Sequence, residues 1–333
     1  MKEIDVVKKM IDDNQFDADV LLSILNSFGK DIALIPLLLL KGQKIIRSRI
    51  NDSNDLFYEI SDLSYPPAHC VTRTDRASLK GAPMFYASVF TKDAEKTGAL
   101  PRIISALETL NILKEVRTYQ QCFFTQSIWL AKEDIHLFAF PVSEKYKRKC
   151  GELNLFRKGW ETYCKDNYSV DSIEFFSYIG DLMATPGFSC IYEVTATCVD
   201  HIIRNFDIEG LVYPSVPSEG EGLNICLKPE TVDSKISFEG AITEFVIRKD
   251  MESTIEIIAH AQMTSPTTFC WKVTKYGIEL MKMSGYFQHI KENQEVILVP
   301  ENEKNDFCNK HCPNTINYIY CVRIIKKLNI TFL

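Results

Sequence analysis

A basic loop that runs into a short apolar strand decides how this chain of 333 residues is organised. Residues 73–88 read RTDRASLKGAPMFYAS. Gly81 and Pro83 favour a turn or loop in the first part of this stretch. The second part, Met84 to Ala87, has the apolar and aromatic composition of a buried strand. An arginine in such a loop, with a tyrosine on the next strand, can hold an anion and stack against a flat ring.

The composition is that of an ordinary globular protein with a mild acidic excess. Charged residues make up 25% of the chain and hydrophobic residues 46%, and the formal net charge is −6. A chain of this length can bury one large core or two smaller ones. Because no basic excess exists to release counterions from phosphate backbones, we expect no direct nucleic-acid partner.

The cysteines and the first residues predict a cytoplasmic protein. The 11 cysteines are odd in number and irregularly spaced, so we expect reduced core residues and no disulfide framework. The N-terminus mixes charges and lacks the apolar core of a signal peptide. The longest apolar run, Ile32 to Leu40, is shorter than the roughly 20 residues that span a bilayer. We therefore expect this run to be buried core, and we expect no membrane contact.

Hydrophobic periodicity predicts an α+β fold in three parts. Residues 1–42 form a helical prefix, in which apolar residues at helical spacing predict helices over 3–13 and 18–28. Residues 43–232 form the central domain. Residues 233–333 alternate like strands and form a β-rich C-terminal extension of unknown role.

An early strand and a later helix carry further charged residues. Residues 43–50 read QKIIRSRI, and alternation places Arg47 and Arg49 on one face of a strand. Two arginines in this position are either a solvated edge or a phosphate clamp. Pro101 suits the first position of a helix, and Glu108 lies at the edge of the apolar stripe of that helix. Glu108 is therefore either exposed to solvent or directed into a cleft.

A glycine-containing loop lies between two short segments of strand composition. The segments are 211–213 and 224–227, and Ser215 follows the first one closely. Gly220 and Gly222 in the loop allow a ligand to approach the backbone. Because these glycines precede a strand and not a helix, they form neither a Rossmann turn nor a P-loop.

A group of possible metal ligands occurs near the C-terminus. Cys308, His311 and Cys312 lie close together in the sequence, and Cys321 follows them. The spacing contains no CxxC pair and no second pair of ligands. We therefore expect no metal site.

Four segments together resemble the RES-domain family, which is named for its arginine, glutamate and serine residues. That family shows an arginine on an early strand, then an arginine loop that leads to a strand tyrosine, then a glutamate on a helix. A Tyr-Pro-Ser segment, a glycine-containing loop and an asparagine follow. The matching residues here are Arg47, Arg76, Tyr86, Glu108, Ser215 and Asn224. The resemblance covers about residues 45–230, with two departures: Ser78 replaces the usual asparagine, and the spacer before Glu108 is long.

The resemblance implies a fold similar to that of the diphtheria-toxin-like ADP-ribosyltransferases, in which split antiparallel sheets enclose a cleft with flanking helices. It implies NAD as the substrate, cleaved at the nicotinamide–ribose bond. The nucleophile is water, phosphate or a protein side chain. It also implies a bacterial toxin of a toxin–antitoxin pair, with an antitoxin as partner. A homo-oligomer is a further expectation.

The resemblance also implies roles for individual residues. Arg47 and Arg76 would grip the bisphosphate, because a guanidinium forms paired bonds to phosphate oxygens. Glu108 would stabilise an oxocarbenium-like ribose in the transition state. Tyr86 would stack on nicotinamide, and Ser215 would bind the carboxamide or the ribose.

Asn224 would support Ser215 in binding the substrate. Each candidate also has an ordinary alternative: Tyr86 as core, Arg76 as the cap of a loop, and Ser215 as part of a turn. The alternative function is a catalytically inactive RES-like module that senses a nucleotide or binds a protein. The long extension and Ser78 motivate that alternative.

Overall fold

The chain is an α+β protein built on one large mixed sheet with helices packed against it. In this computed structural model, the described residues are 2–51, 56–90, 100–110, 119–143, 163, 166–249, 252–275, 277, 279 and 297–299.

The helices and strands are named in chain order. The helices are α1 (Glu3–Asp12), α2 (Ala18–Phe28), α3 (Ile60–Leu63), α4 (Pro101–Thr109), α5 (Val170–Met183), α6 (Ser189–Asn205) and α7 (Pro229–Lys235). The strands are β1 (Ile35–Leu39), β2 (Lys44–Ile50), β3 (Phe85–Val89), β4 (Tyr119–Ala131), β5 (Ile135–Ala139), β6 (Gly210–Pro214), β7 (Leu223–Leu227), β8 (Ile236–Lys249), β9 (Glu252–Met263), β10 (Phe269–Thr274) and β11 (Ile297–Val299).

The described strands form an 11-stranded sheet in the order β1-β5-β6-β7-β3-β2-β4-β8-β9-β10-β11. Neighbouring strands are antiparallel except for the parallel pairs β5–β6 and β10–β11. Strand β8 pairs with β4 along its whole length, so the described strands after residue 232 continue the same sheet. The described register joins β3 to β2 only through Ile45 with Val89 and Ile46 with Ser88. The sheet is therefore weakly joined in its middle.

Each face of the sheet has its own core, because alternate side chains of a strand lie on opposite faces. On one face, Ile45, Phe85 and Ile225 pack with aromatic residues of β4. On the other face, Tyr86 and Leu211 pack with the apolar sides of α1, α2, α5 and α6. The residues of the RES-like segments are thus divided between two environments.

Helix α4 covers a neighbouring part of the second face. It packs against β2, β3 and β7, whereas α5 packs against β6. Leu107 and Leu110 at the end of α4 contact a small core with Phe124 and Val246. The part of β7 and β6 that lies between α4 and α5 is where the candidate site is found.

Both helices predicted in the N-terminal segment are confirmed. The side chain of Asp17 accepts a hydrogen bond from the amide of Val20 and caps the start of α2. Gly29 ends the same helix with φ 58°, a left-handed conformation that suits glycine. Pro101 is also confirmed at the start of α4, where the missing amide hydrogen carries no penalty.

One sequence prediction of local structure is wrong. The run from Ile32 to Leu40 is not all buried core, because Leu38 and Leu40 are each 50% exposed. Leu38 lies in β1 and Leu40 directly follows it, and β1 stands at one end of the strand order. Pro229 follows β7 and begins helix α7, in which it occupies the first turn.

No helix within the described residues combines the length and apolarity needed to cross a bilayer.

Candidate functional site

A row of polar side chains crosses the sheet between α4 and α5. Ser88 on β3 is the registered partner of Asn224 on β7, and Asn224 is in turn the partner of Tyr213 on β6. Registered partners on antiparallel strands lie side by side on the same face. The three side chains therefore lie on the helix-covered face, in line with each other.

Helix α4 brings Glu108 to this row. The Nδ2 of Asn224 donates a hydrogen bond to the Oε1 of Glu108 at 2.7 Å. The Oγ of Ser88 donates to the Oδ1 of Asn224 at 2.8 Å. The carboxylate of Glu108 therefore faces the protein and is not simply exposed to solvent. Asn224, which is expected to support Ser215 in substrate binding, contacts this carboxylate.

Tyr213 connects the two sides of the site. Its side chain is 8% exposed. Burial raises the pKa of Tyr213 well above its ordinary value, the charge of Glu108 raises it further, and Arg76 lowers it. The charges of Glu108 and Arg76 thus shift the pKa of this phenol in opposite directions.

Arg76 lies at the C-terminal end of α5. Its Nη1 donates hydrogen bonds to the carbonyl oxygens of Leu182, Met183 and Thr185 at 3.1, 2.8 and 2.9 Å. Its guanidinium carbon lies 5.2 Å from the centre of the Tyr192 ring. A cation at this end of a helix is favourable, because the last carbonyl oxygens have no partner within the helix. Arg76 thus caps α5 and not merely its own loop.

Tyr86 ties the basic loop to β3. Its hydroxyl donates to the Oγ of Ser78 at 2.9 Å and accepts from the amide of Ala77 at 3.3 Å. Burial raises the pKa of Tyr86 well above its ordinary value, so this phenol stays neutral. Ser78, the departure from the family pattern, is the residue that accepts the tyrosine hydroxyl.

Arg47 contacts the backbone of β3. Its Nη1 donates to the carbonyl oxygen of Tyr86 at 2.9 Å, and its guanidinium carbon lies 5.4 Å from the centre of the Phe85 ring. Burial, followed by the charge of Arg49, lowers the pKa of Arg47 to about 10. Strand alternation places Arg47 with Phe85, on the face opposite to Ser88. Arg47 therefore lies near the site, and it contacts the site through the backbone of β3.

Ser215 lies in the loop between β6 and β7. It is fully buried, and its Oγ has no hydrogen-bond partner among the described residues. Its backbone is fixed, because its amide donates to the carbonyl of Gly222 at 2.8 Å and its own carbonyl accepts from the amide of Gly220 at 2.8 Å. An unpartnered buried hydroxyl costs about 1–3 kcal/mol. Ser215 is therefore a candidate donor to a bound ligand.

The same loop packs tightly against α4. A Cβ added to Gly222 would lie 2.4 Å from the Cγ1 of Ile104. No side chain fits in that space, so glycine at this position allows α4 and the loop to approach each other. Gly222 thus allows the loop to pack against α4. This is separate from any role of the loop glycines in letting a ligand approach the backbone.

The sequence did not point to two residues of the site or to one buried ion pair of helix α4. Ser88 and Tyr213 were not given roles, although strand alternation places Ser88 on the same face as Tyr86. A buried ion pair was also missed: Arg102 in the first turn of α4 bonds the carboxylate of Glu244 on β8. The two members of that pair lie 142 residues apart, so no local pattern could have found it.

The predicted absence of a metal site is not decided by the structure. Within the described residues, no group of three or more histidine, cysteine, aspartate or glutamate side chains could hold a metal ion. The C-terminal group of Cys308, His311, Cys312 and Cys321 lies outside the described residues.

Comparison with known proteins assigns no family to the chain. It matches no protein-family model and no curated protein sequence. The resemblance to the RES family therefore rests on the quoted residues and on where they lie.

Proposed function

We propose that the chain is an enzyme that cleaves the nicotinamide–ribose bond of NAD, on an ADP-ribosyltransferase-like fold of the RES kind. One observation carries the proposal: Glu108 from α4 is bonded to Asn224, the registered neighbour of Tyr213, and Ala77 next to Arg76 is bonded to Tyr86 on the same face. A site for NAD needs a carboxylate near the ribose, a cation near the phosphates and a flat surface for a ring. Those three chemical types come together here from distant parts of the sequence.

The shape of the sheet is consistent with such a fold. Strand β3 is joined to β2 through two registered residue pairs, so the sheet divides into the set β1-β5-β6-β7-β3 and the set β2-β4-β8-β9-β10-β11. Helix α4 packs on strands of both sets. A cleft between the two sets of strands would bring a bound dinucleotide to the partly buried carboxylate of Glu108.

The proposed reaction breaks one bond and forms one bond. The bond from ribose C1′ to the nicotinamide nitrogen breaks, both electrons go to that nitrogen, and nicotinamide leaves as a neutral molecule. The ribose gains oxocarbenium character, which the carboxylate of Glu108 stabilises. A nucleophile then bonds to C1′ and loses its proton. Water, inorganic phosphate and a protein side chain are the three candidates for that nucleophile.

The other residues bind the substrate in this proposal. Tyr86 and Tyr213 are neutral aromatic side chains that can face the cationic nicotinamide ring. Arg76 uses Nη1 for the helix carbonyls, and within the described part of the chain its Nε and Nη2 donate no hydrogen bond. Those two groups could bind a phosphate oxygen. The hydroxyl of Ser215 could bind the nicotinamide carboxamide.

A second candidate function is a catalytically inactive module that binds a nucleotide. The observation that favours it is that Nη1 of Arg47 and Nη1 of Arg76 are both bound to backbone carbonyl oxygens. Arginines with such structural duties could stabilise the fold without taking part in turnover.

Incubation of the purified chain with NAD separates the two functions. The proposal expects free nicotinamide to accumulate, measured by chromatography, and expects mass analysis to find ADP-ribose, ADP-ribose 1″-phosphate or an ADP-ribosylated protein. Omitting phosphate identifies the nucleophile. NAD binding in calorimetry without any nicotinamide release would favour the inactive module, and an absence of both would remove both functions.

We also propose that the enzyme is a bacterial toxin restrained by an antitoxin. The support is the resemblance alone. A neighbouring open reading frame for a small helix-turn-helix protein that suppresses NAD loss when co-expressed would be the expected result. NAD loss that continues unchanged when every neighbouring open reading frame is co-expressed would count against it.

A further inference from the structure

Ser88 holds one end of a three-residue hydrogen-bond chain that ends on the proposed catalytic carboxylate. Its hydroxyl donates to the Oδ1 of Asn224, and the Nδ2 of Asn224 donates to the Oε1 of Glu108. Ser88 and Asn224 are 1% and 2% exposed. The bond from Ser88 to Asn224 is therefore buried, and the bond from Asn224 to Glu108 is partly buried.

The chemistry of the groups sets the direction of this chain. An ionised carboxylate only accepts hydrogen bonds, so the amide of Asn224 must present its NH₂ group to Glu108. The amide oxygen then faces Ser88, and the serine hydroxyl is the donor that satisfies it. If the amide of Asn224 were rotated by half a turn, its oxygen would face the carboxylate oxygen of Glu108, and no hydrogen bond could form. The carboxylate of Glu108 therefore sets this orientation, and the hydroxyl of Ser88 anchors the amide by donating to its oxygen.

We propose that Ser88 is a positioning residue that anchors the Asn224 amide, so that the amide holds the Glu108 carboxylate against β7. This inference rests on the proposed role of Glu108 in NAD cleavage. Ser88 itself touches no substrate. It acts through Asn224, because hydrogen-bonded polar networks keep their members in one arrangement.

Removal of the hydroxyl has a defined consequence. In Ser88→Ala, the Oδ1 of Asn224 is a buried acceptor without its donor, so the amide loses the bond that fixes its position. The carboxylate of Glu108 is then held by an amide that is free to shift. Ser88→Thr keeps a hydroxyl on a residue that favours strands, and so restores the anchoring bond.

The experiment compares these two variants with a matched control. Ser253→Ala removes the hydroxyl of another buried strand serine, on β9, which bonds Arg248 and not the candidate site. Far-ultraviolet circular dichroism first establishes that all variants are folded. Asn224→Ala identifies the side-chain amide signals of Asn224 in the nitrogen–proton correlation spectrum of the full chain.

The first measurement does not depend on activity. In the wild type, Ser88→Thr and Ser253→Ala, we expect one Asn224 amide proton to be shifted downfield and to exchange slowly with solvent. In Ser88→Ala, we expect that shift and that protection to be lost. An unchanged Asn224 signal in Ser88→Ala would overturn the proposed anchoring.

The second measurement is the rate of nicotinamide release from NAD. In Ser88→Ala we expect kcat to fall about tenfold while KM changes less than about twofold. We expect Ser88→Thr to recover most of kcat and Ser253→Ala to match the wild type. An unchanged kcat in Ser88→Ala would overturn the positioning role. If the wild type releases no nicotinamide, the proposed function is removed. The Asn224 amide signals would still show whether Ser88 anchors the Asn224 amide.

Discussion

The two ends of helix α4 carry two different polar networks. At the N-terminal end, Arg102 bonds Glu244 and its Nε donates to the Oε1 of Gln126 at 2.9 Å. The side chains of that pair are 7% and 2% exposed. At the C-terminal end, Glu108 is held by Asn224 and is only partly buried.

This difference separates an anchoring role from the proposed catalytic role along one short helix. The buried end fixes α4 to β4 and β8, because separating a buried ion pair leaves an uncompensated charge. At the other end, the carboxylate of Glu108 is hydrogen-bonded to β7 but remains partly exposed. Changes at the first end should therefore alter stability, and changes at the second should alter turnover.

The largest expected effect is the loss of the buried pair. Arg102→Met leaves Glu244 without its cation and should lower the free energy of unfolding by about 3–5 kcal/mol. Urea denaturation followed by tryptophan fluorescence measures it. Arg73→Met is the control, because Arg73 pairs with Asp75 at an exposed position and should cost at most about 1 kcal/mol. Similar losses in both variants would show that α4 is not anchored in this way.

The second effect is the loss of turnover at the other end of α4. Glu108→Gln keeps the shape of the side chain but removes its charge, and nicotinamide release should fall by about 10²–10³-fold. Its melting temperature should stay close to that of the wild type, because the glutamine oxygen can still accept from Asn224. Full activity in Glu108→Gln would remove Glu108 from the mechanism. A tenfold loss of activity in Arg73→Met would indicate that the assay responds to surface charge in general.

The elements that could be predicted from sequence are those with local signals. Helix α2 has its cap at Asp17 and its glycine at Gly29, and strand β2 has clear alternation. Only the family resemblance predicted that the candidate residues lie near one another. Pairings such as Asn224 with Glu108 depend on how distant elements pack, and no spacing in the sequence encodes them.

Individual orientations were hardest to predict. A loop arginine such as Arg76 has the same composition signal whether it binds phosphate or caps α5, because both partners offer oxygen atoms. The exposed Leu38 shows the same limit, since an apolar run does not state whether its strand lies in the middle of a sheet or at its edge.

A third effect should appear midway along α4. Gly222→Ala places a Cβ against Ile104 and should lower the free energy of unfolding by about 1–3 kcal/mol. Urea denaturation measures this as well. In the double variant with Ile104→Ala, the loss should be smaller than the sum of the two single losses, because the clash is absent. Additive losses would mean that the loop does not press on the helix.

The smallest effect concerns alkaline pH. Because burial raises the pKa of Tyr213, the unfolded chain releases this proton near pH 10 while the folded chain keeps it. The resulting stability is fully present below about pH 10 and is lost as pH rises further, at up to about 1.4 kcal/mol per pH unit. In Tyr213→Phe, the unfolding free energy should fall less steeply between about pH 10 and 11. Equal slopes in both proteins would contradict the burial of this phenol.

The central claim is that Glu108, Tyr213 and Arg76 surround one site for one dinucleotide. An experimental structure of Glu108→Gln with NAD tests it most directly, because this variant should bind the substrate without consuming it. We expect the nicotinamide riboside beside residue 108 and Tyr213, with a phosphate within hydrogen-bond distance of Arg76. NAD bound on another face of the sheet, or no NAD bound at saturating concentration, would contradict the account.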